Sequence, residues 1–480
     1  MTMVKVVLAL ISLLSCQLIA APNFMVKVRT FSQAIDERSP WAQKPITESQ
    51  YVGVALSKNT VLISTQAVKD LRYIEVETLS SSKRYPAELS RVDYNAQLAI
   101  IKVNESLAAV EPVKLGQDLK LNSKAKILSL KQKKVVPINT SFRDIKVRGS
   151  LTASYNLPHY TFEVKRKGVG WSEPVVKEDL LVGLSIRKEK NQILALPVSV
   201  IRRFLKGKGE LSSFGKLGLK YHKLHDRLLR QELGLKGEEY GVWLSDVTTL
   251  SPLYKKARPG DVLLSIEDYK LKSNGRVYDK RWGDIPLSGV VYRFPVGSKL
   301  KAKVFRSAKV VDIDFTMKVY DGSADMIPFY SDSQRHFTIY NGFVLQELSR
   351  NYLQSWGRSW LSRAPTTLMK RIAFENNPPA DMPQKKVVIL SKVLVDQSNK
   401  GYEGLKNLEL YEINGKKVEN IKQVYGLLKS PIIKDGRQYT KLNFGPIPRE
   451  VILDHSKVDE ANERIAKLYS VQAQHLWRTP

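Results

Sequence analysis

Few residues in this chain have the types and surroundings for covalent chemistry. A serine hydroxyl such as Ser172, in Gly170-Trp171-Ser172-Glu173-Pro174, is a poor nucleophile until a base takes its proton. Imidazole does this near neutral pH, and the chain has 6 histidines. Only His159 lies in the first 207 residues, and it would have to fold back onto Ser172 from upstream. A Ser–Lys pair with Lys165 or Lys177 is a second route, but lysines are so abundant that their presence says little. The plainer reading of Ser172 is a loop hydroxyl with no chemical task. Glu173 adds a carboxylate next to it, where negative charge opposes a developing oxyanion. His222 and His225 are spaced to share a helix face. Without acidic or thiol partners they read as surface residues, so neither a metal nor another cofactor is expected.

The segments around these residues read mostly as strands. Tyr51 to Leu56 and Thr60 to Ser64 are apolar runs separated by Ser57-Lys58-Asn59, Tyr73 to Thr78 alternates as a half-buried strand does, and Gln97 to Val103 reads as a buried strand. Helical periodicity first appears at Val198 to Leu205, so an all-β barrel is expected before it. The next unit mixes strands and helices. Tyr221 to Leu233 has the spacing of a helix, Gly241 to Val247 of a strand, and Ser251 of a helix start. Arg258 to Asp261 is a turn feeding Val262 to Ile266. A polar linker from Asp321 to Gln334 precedes a third unit, with strands at Phe343 to Leu345 and Lys386 to Leu390. There, Leu408 to Gly415 parallels Asp261 to Asp268 as a partial repeat. Asp454 to Trp477 is charged and expected to be helical.

The chain has 480 residues, 77 Lys+Arg against 47 Asp+Glu, and 43% hydrophobic residues. At roughly 100–200 residues per domain, about three domains are expected. The apolar content excludes wholesale disorder, and a single Cys excludes a disulfide scaffold or a Cys-rich zinc module. Lys5, the apolar run Val6 to Leu14 and the small residues Ala20 and Ala21 read as an export signal. The expected location is therefore the periplasm, the cell envelope or the exterior. Leu13-Leu14-Ser15-Cys16 leaves lipid attachment at Cys16 as an alternative to cleavage near Ala20. The net charge of +30 is spread over all three units. That argues against a focused nucleic-acid site and for salt-sensitive attraction to anionic membrane or polymer. Lys131, Lys133 and Lys134, the densest basic run, read as a solvated loop.

These units, in this order, resemble the HtrA/Deg family: an exported trypsin-like double β-barrel followed by PDZ domains. Ser39 to Ser49 resembles the entry segment of its plant-type branch. Val52 to Val68 looks like the strand-turn-strand leading to the family's catalytic His, Arg91 to Val103 like the segment bearing its Asp, and Gly170 to Val176 like its nucleophile loop. The resemblance implies a mainly β chain with α+β parts. Its expected units are a signal peptide at 1–20, the double barrel at 21–207, a PDZ domain at 212–320, a divergent second PDZ-like domain at 335–455 and a helical tail at 456–480. It also implies a serine-type endopeptidase and a trimer-based homo-oligomer. The departures fall on the chemistry. Gln66 stands at the His position and Gln97 at the Asp position. Ser172 keeps the nucleophile position, but Gly170, in the oxyanion loop, begins a motif one residue shorter than the family's Gly-x-Ser-Gly-Gly-Pro. A Gln amide cannot shuttle a proton at neutral pH, so trypsin-like proteolysis is expected to be lost.

A PDZ domain adds an extended peptide to a sheet edge and receives the terminal carboxylate on backbone N–H groups of a Gly-containing loop. Lys216-Leu217-Gly218-Leu219 resembles that loop, with Asn341-Gly342-Phe343-Val344 as its counterpart in the third unit. Ile285 to Phe294 is the expected groove-lining helix, although Pro286 and Gly289 disturb it. The functional expectation is an exported pseudoprotease of the protein quality-control type. Through its PDZ domains it is expected to bind extended or C-terminal peptide segments of envelope proteins, unfolded-protein C-termini among them, as scaffold, chaperone or regulator. An active endopeptidase with a non-standard base at Ser172, and a basic surface binder, remain the competing readings.

Overall fold

The computed structural model describes residues 23–149, 155–164, 171–207, 214–235, 240–320, 322, 325–330, 336–357, 359–374, 386–445 and 449–476. The first unit is two closed six-stranded barrels. Around the first, the order is Met25–Ser32, Thr47–Ser57, Thr60–Ser64, Leu98–Val103, Arg84–Asp93 and Leu71–Thr78, all neighbours antiparallel. Thr60–Ser64 is central and buried from Val61 onward, which is why it reads as a continuous β-branched and apolar run rather than an alternation. The second barrel runs Lys134–Gly149, Asn156–Glu163, Gln192–Pro197, Leu180–Glu189, Pro174–Lys177 and Lys124–Lys131. Lys131 to Lys134 is the hairpin joining its first and last strands, with Gln132 and Lys133 at positive φ. Lys133 is not simply solvated: its Nζ donates to the Ser81 carbonyl at 3.0 Å and pairs with Glu77 at 2.5 Å, tying the second barrel to the first. The helix Val198–Lys206 starts after Pro197, buries Val198, Ile201 and Phe204 on one face, and places Arg203 and Lys206 at its C-terminal, negative end.

The second unit is one sheet ordered Leu219–His222, Val242–Val247, Val262–Ile266, Lys299–Arg306 and Lys309–Thr316. In Lys299–Arg306, Leu300, Ala302 and Val304 point inward while the lysines between them face out. Its core is continuous with that of the second barrel. Trp282 Nε1 donates to the Leu119 carbonyl at 3.2 Å, and Arg281 pairs at 2.7 Å with the buried Asp118. Three sequence expectations change here. Tyr221 and His222 are strand, because they pair with Leu244 and Trp243, and the helix begins only at Arg227, capped by Asp226. Ser251 to Ala257 is a series of turns rather than a helix. Ile285 to Phe294 yields only the single helical turn Ser288–Val291 after the strand Gly283–Pro286.

The third unit is a sheet ordered Ile432–Lys434, Arg437–Gly445, Leu408–Ile413, Val388–Val393, Phe343–Glu347, Phe337–Tyr340 and His475–Leu476. The helix Ile421–Leu428 contributes Ile421, Val424 and Leu428 to its core. The expected repeat is visible as two strand-turn-strand units, Val262–Ile266 with Tyr269–Lys270 and Leu408–Ile413 with Lys416–Lys417. The charged C-terminal segment forms the helix Val458–Leu468, but it ends in a strand that its charge pattern does not announce. No described helix is long and apolar enough to cross a membrane.

Candidate functional site

Strand ends of the two barrels bring Gln66, Gln97 and Ser172 into one region. Gln66 lies in the 3-10 turn Thr65–Ala67 that follows the strand Thr60–Ser64, and its carbonyl accepts from the Tyr51 hydroxyl at 3.4 Å. Gln97 precedes the neighbouring strand Leu98–Val103 at φ 60° and is buried. Its carbonyl accepts from Thr65 N–H at 3.1 Å, which fixes the two glutamine turns against each other. Ser172 sits at the entry to Pro174–Lys177, also at φ 60°, and is 0% exposed.

The bonding of Ser172 decides what it can do. Its Oγ accepts from the backbone N–H of Ser64 at 2.9 Å and donates to Ser64 Oγ at 2.7 Å. No hydrogen bond joins it to Gln66, Gln97 or His159 among the described residues. Its own backbone N–H, the group that would serve as an oxyanion donor, donates to the Ser185 carbonyl at 2.8 Å. Glu173 turns away and is held by Ser185, whose Oγ donates to Glu173 Oε2 at 2.7 Å and accepts from Glu173 N–H at 2.9 Å. A cleft of about 590 Å³ opens beside this loop, with Lys27, Tyr51, Lys133, Trp171, Glu173 and Lys188 on its wall; Ser172 does not line it. Hydroxyl and amide are both spent on structural bonds, and the hydroxyl faces no space for a substrate.

His159 does not rescue the site. Its ring is buried in the second barrel, and its Nε2 lies 3.1 Å from Gln97 Nε2. An amide nitrogen only donates, so the imidazole accepts there. Burial disfavours the charged ring and lowers its pKa from the ordinary 6.5 to about 4. Lys177 is half exposed and sits beside Glu178. Gly170 and Lys165 lie outside the described residues. His222 and His225 share no helix face: His222 ends a strand against Trp243, and His225 Nδ1 lies 3.2 Å from Ser273 Oγ. No cluster of metal-ligating side chains occurs among the described residues.

The second-unit loop expected to receive a carboxylate is held in place by its neighbours. Phe214 and Gly215 are held by bridges to Pro295 and Val319, and Lys216 Nζ lies 4.2 Å over the Tyr320 ring. The Leu217 carbonyl accepts from Ser251 Oγ and the Gly218 carbonyl from Thr248 N–H. Among the described residues nothing accepts the N–H of Leu217 or Gly218. Gly218 has φ +61°, and a Cβ there would meet Thr248 Oγ1 at 2.5 Å, so only glycine fits. Leu219 starts the terminal strand of its sheet, and no described strand pairs with its outer edge.

The corresponding expectation for the third unit is corrected. Asn341 and Gly342, both at positive φ, are the two-residue turn of the Phe337–Tyr340/Phe343–Glu347 hairpin. Phe343 and Val344 belong to an interior strand paired on both sides and are fully buried, so their backbone has no edge to offer. Asn-Gly between apolar runs was itself the hairpin signal. The outer strands of this sheet are Ile432–Lys434 and His475–Leu476, the latter paired with Phe337–Tyr340.

Comparison with known proteins agrees with this architecture. A family model described as "PDZ domain" matches residues 328–475. Protease Do-like 4, mitochondrial, of Arabidopsis thaliana is 23% identical over 470 residues, covering 94% of this chain and 84% of that protein. Putative protease Do-like 3, mitochondrial, from the same plant is 22% identical, covering 93% and 78%. Among solved structures, the HtrA-type protease AlgW with decapeptide aligns at TM-score 0.47 and 17% identity, over 63% of this chain and 97% of that one. By its paired barrels, its PDZ match and relatives that align over most of its length, this chain is similar to HtrA/Deg proteases, with a trypsin-like barrel unit followed by a PDZ domain.

Proposed function

We propose that this protein is a pseudoprotease: an HtrA/Deg chain that has kept the barrels as a platform and works by binding extended or C-terminal peptide segments. The observation that carries the reading is Ser172, whose hydroxyl is bound to Ser64 and whose N–H is bound to Ser185, with no base in contact among the described residues. A hydroxyl that donates its proton to another serine is not activated by that partner. The binding half rests on the N–H groups of Leu217 and Gly218, which no described residue accepts, beside the edge of Leu219–His222 that no described strand pairs, where backbone pairing would give affinity and the loop would receive a carboxylate. Lys220, beside Asp246 at 3.7 Å, adds a partly exposed cation on that strand.

Export after a cleaved signal near Ala20 and assembly as a trimer-based homo-oligomer belong to the same proposal. The first rests on the N-terminal apolar run and the second on the resemblance to HtrA/Deg proteins. The test is an array of C-terminal peptides probed with purified mature protein and with Gly218→Val. The parent should retain peptides with free carboxylates and lose them when the C-terminus is amidated. Gly218→Val should bind at least tenfold more weakly while the barrels melt unchanged. Equal retention of free and amidated peptides by both proteins would remove this loop from the function.

A further inference from the structure

The last described strand of the chain closes one side of the third unit's sheet. The strand His475–Leu476 pairs antiparallel with Phe337–Tyr340, Leu476 opposite Phe337 and His475 opposite Thr338, and Ile339 N–H donates to the Gln474 carbonyl at 2.7 Å. The His475 ring lies 4.4 Å from the ring of Tyr425 on the helix Ile421–Leu428, which packs against the same edge strand. This is how an extended peptide joins a sheet edge beside a helix.

On its N-terminal side the segment is anchored by buried contacts. Val471 is buried with Ile339, Val344, Ala461 and Ile465, and Gln474 Nε2 donates to the Asn462 carbonyl at 3.1 Å. Beyond that point both His475 and Leu476 are exposed, and Leu476 keeps 41% of its surface in water. A short, exposed edge strand of this kind gains little from burial and loses chain entropy on pairing, so it is poised to open.

We propose that residues 473–476 are a built-in, displaceable ligand of the third unit, and that their release opens the Phe337–Tyr340 edge to an extended peptide bearing an aromatic or imidazole ring for Tyr425. This site is separate from the Gly218 loop, and its failure would leave the pseudoprotease reading intact.

The test uses the whole mature chain, the same chain ending at Gln472, and a fluorescein-labelled peptide of residues 472–480, read by fluorescence anisotropy. A tethered tail competes at an effective concentration on the order of 1 mM. The shortened chain should therefore bind the peptide at least tenfold more tightly than the intact one, and Tyr425→Ala in the shortened chain should reverse the gain. Equal binding by the intact and the folded shortened chain, or none by either, would overturn the proposal. If the shortened chain does not fold, Gln474→Pro in the intact chain carries the test. A gain in peptide binding is then expected, and no gain would overturn it.

Discussion

Replacing Ser172 by alanine separates a structural serine from a catalytic one. In a working serine protease this change removes activity and touches little else. Here it takes away the acceptor for the Ser64 backbone N–H and the acceptor for Ser172's own hydroxyl proton, Ser64 Oγ, loses its partner. Ser64 is 2% exposed and Ser172 0%, so water does not take over either bond. Leaving a buried N–H unsatisfied costs about 1–3 kcal/mol, and the lost hydroxyl–hydroxyl bond adds about 1 kcal/mol. The expected total is roughly 2–4 kcal/mol, or a fall of roughly 4–16 °C in the melting of the barrels. Ser64→Ala removes only the hydroxyl–hydroxyl bond and should cost about 1 kcal/mol, which makes the pair asymmetric. Urea unfolding of the three proteins gives the energies, and native-state hydrogen exchange at the Ser64 amide gives the local readout. A Ser172→Ala protein within about 0.5 kcal/mol of the parent, with the Ser64 amide still protected, would refute the reasoning.

Two further outcomes follow from the same site. Between pH 6.5 and about 4 the unfolded chain takes up a proton at His159 that the folded chain does not, so stability should fall as pH drops through that window. The loss should reach about 3 kcal/mol, and His159→Leu should flatten the slope in urea titrations; an unchanged slope would contradict the buried-neutral assignment. Gln66→His combined with Gln97→Asp restores the family's residue types, yet the double variant should stay inactive on casein because Ser172 remains bonded to Ser64 and Ser185. Appearance of turnover would show that those bonds yield to an imidazole.

The barrels were legible because their strands carry local signals. Thr60–Ser64 carries the continuous apolar core Val61, Leu62 and Ile63, and Tyr73–Thr78 alternates in part, patterns that suit a β environment. Gln66, Gln97 and Ser172, singled out by resemblance, come together in one region through the Thr65–Gln97 and Ser64–Ser172 bonds. What was hidden was long-range bonding: Ser172 and Ser64 are 108 positions apart, and nothing in either neighbourhood foretells their contact. Tyr221 and His222 read as helix because a short amphipathic run fits both periods; pairing with Leu244 and Trp243 settles it as strand. Asn341-Gly342 was read for binding when its own chemistry marks a tight hairpin turn. The His475–Leu476 strand has no local signal at all, since its conformation is imposed by the edge it joins.

The central claim is that this chain binds peptides and does not cut them. The most direct measurement incubates purified mature protein and Ser172→Ala with casein and an unfolded protein, alongside fluorophosphonate labelling of both. The account predicts no cleavage and no label on either protein. Cleavage by the parent that Ser172→Ala loses, with covalent label on Ser172, would contradict it and make this chain an active endopeptidase.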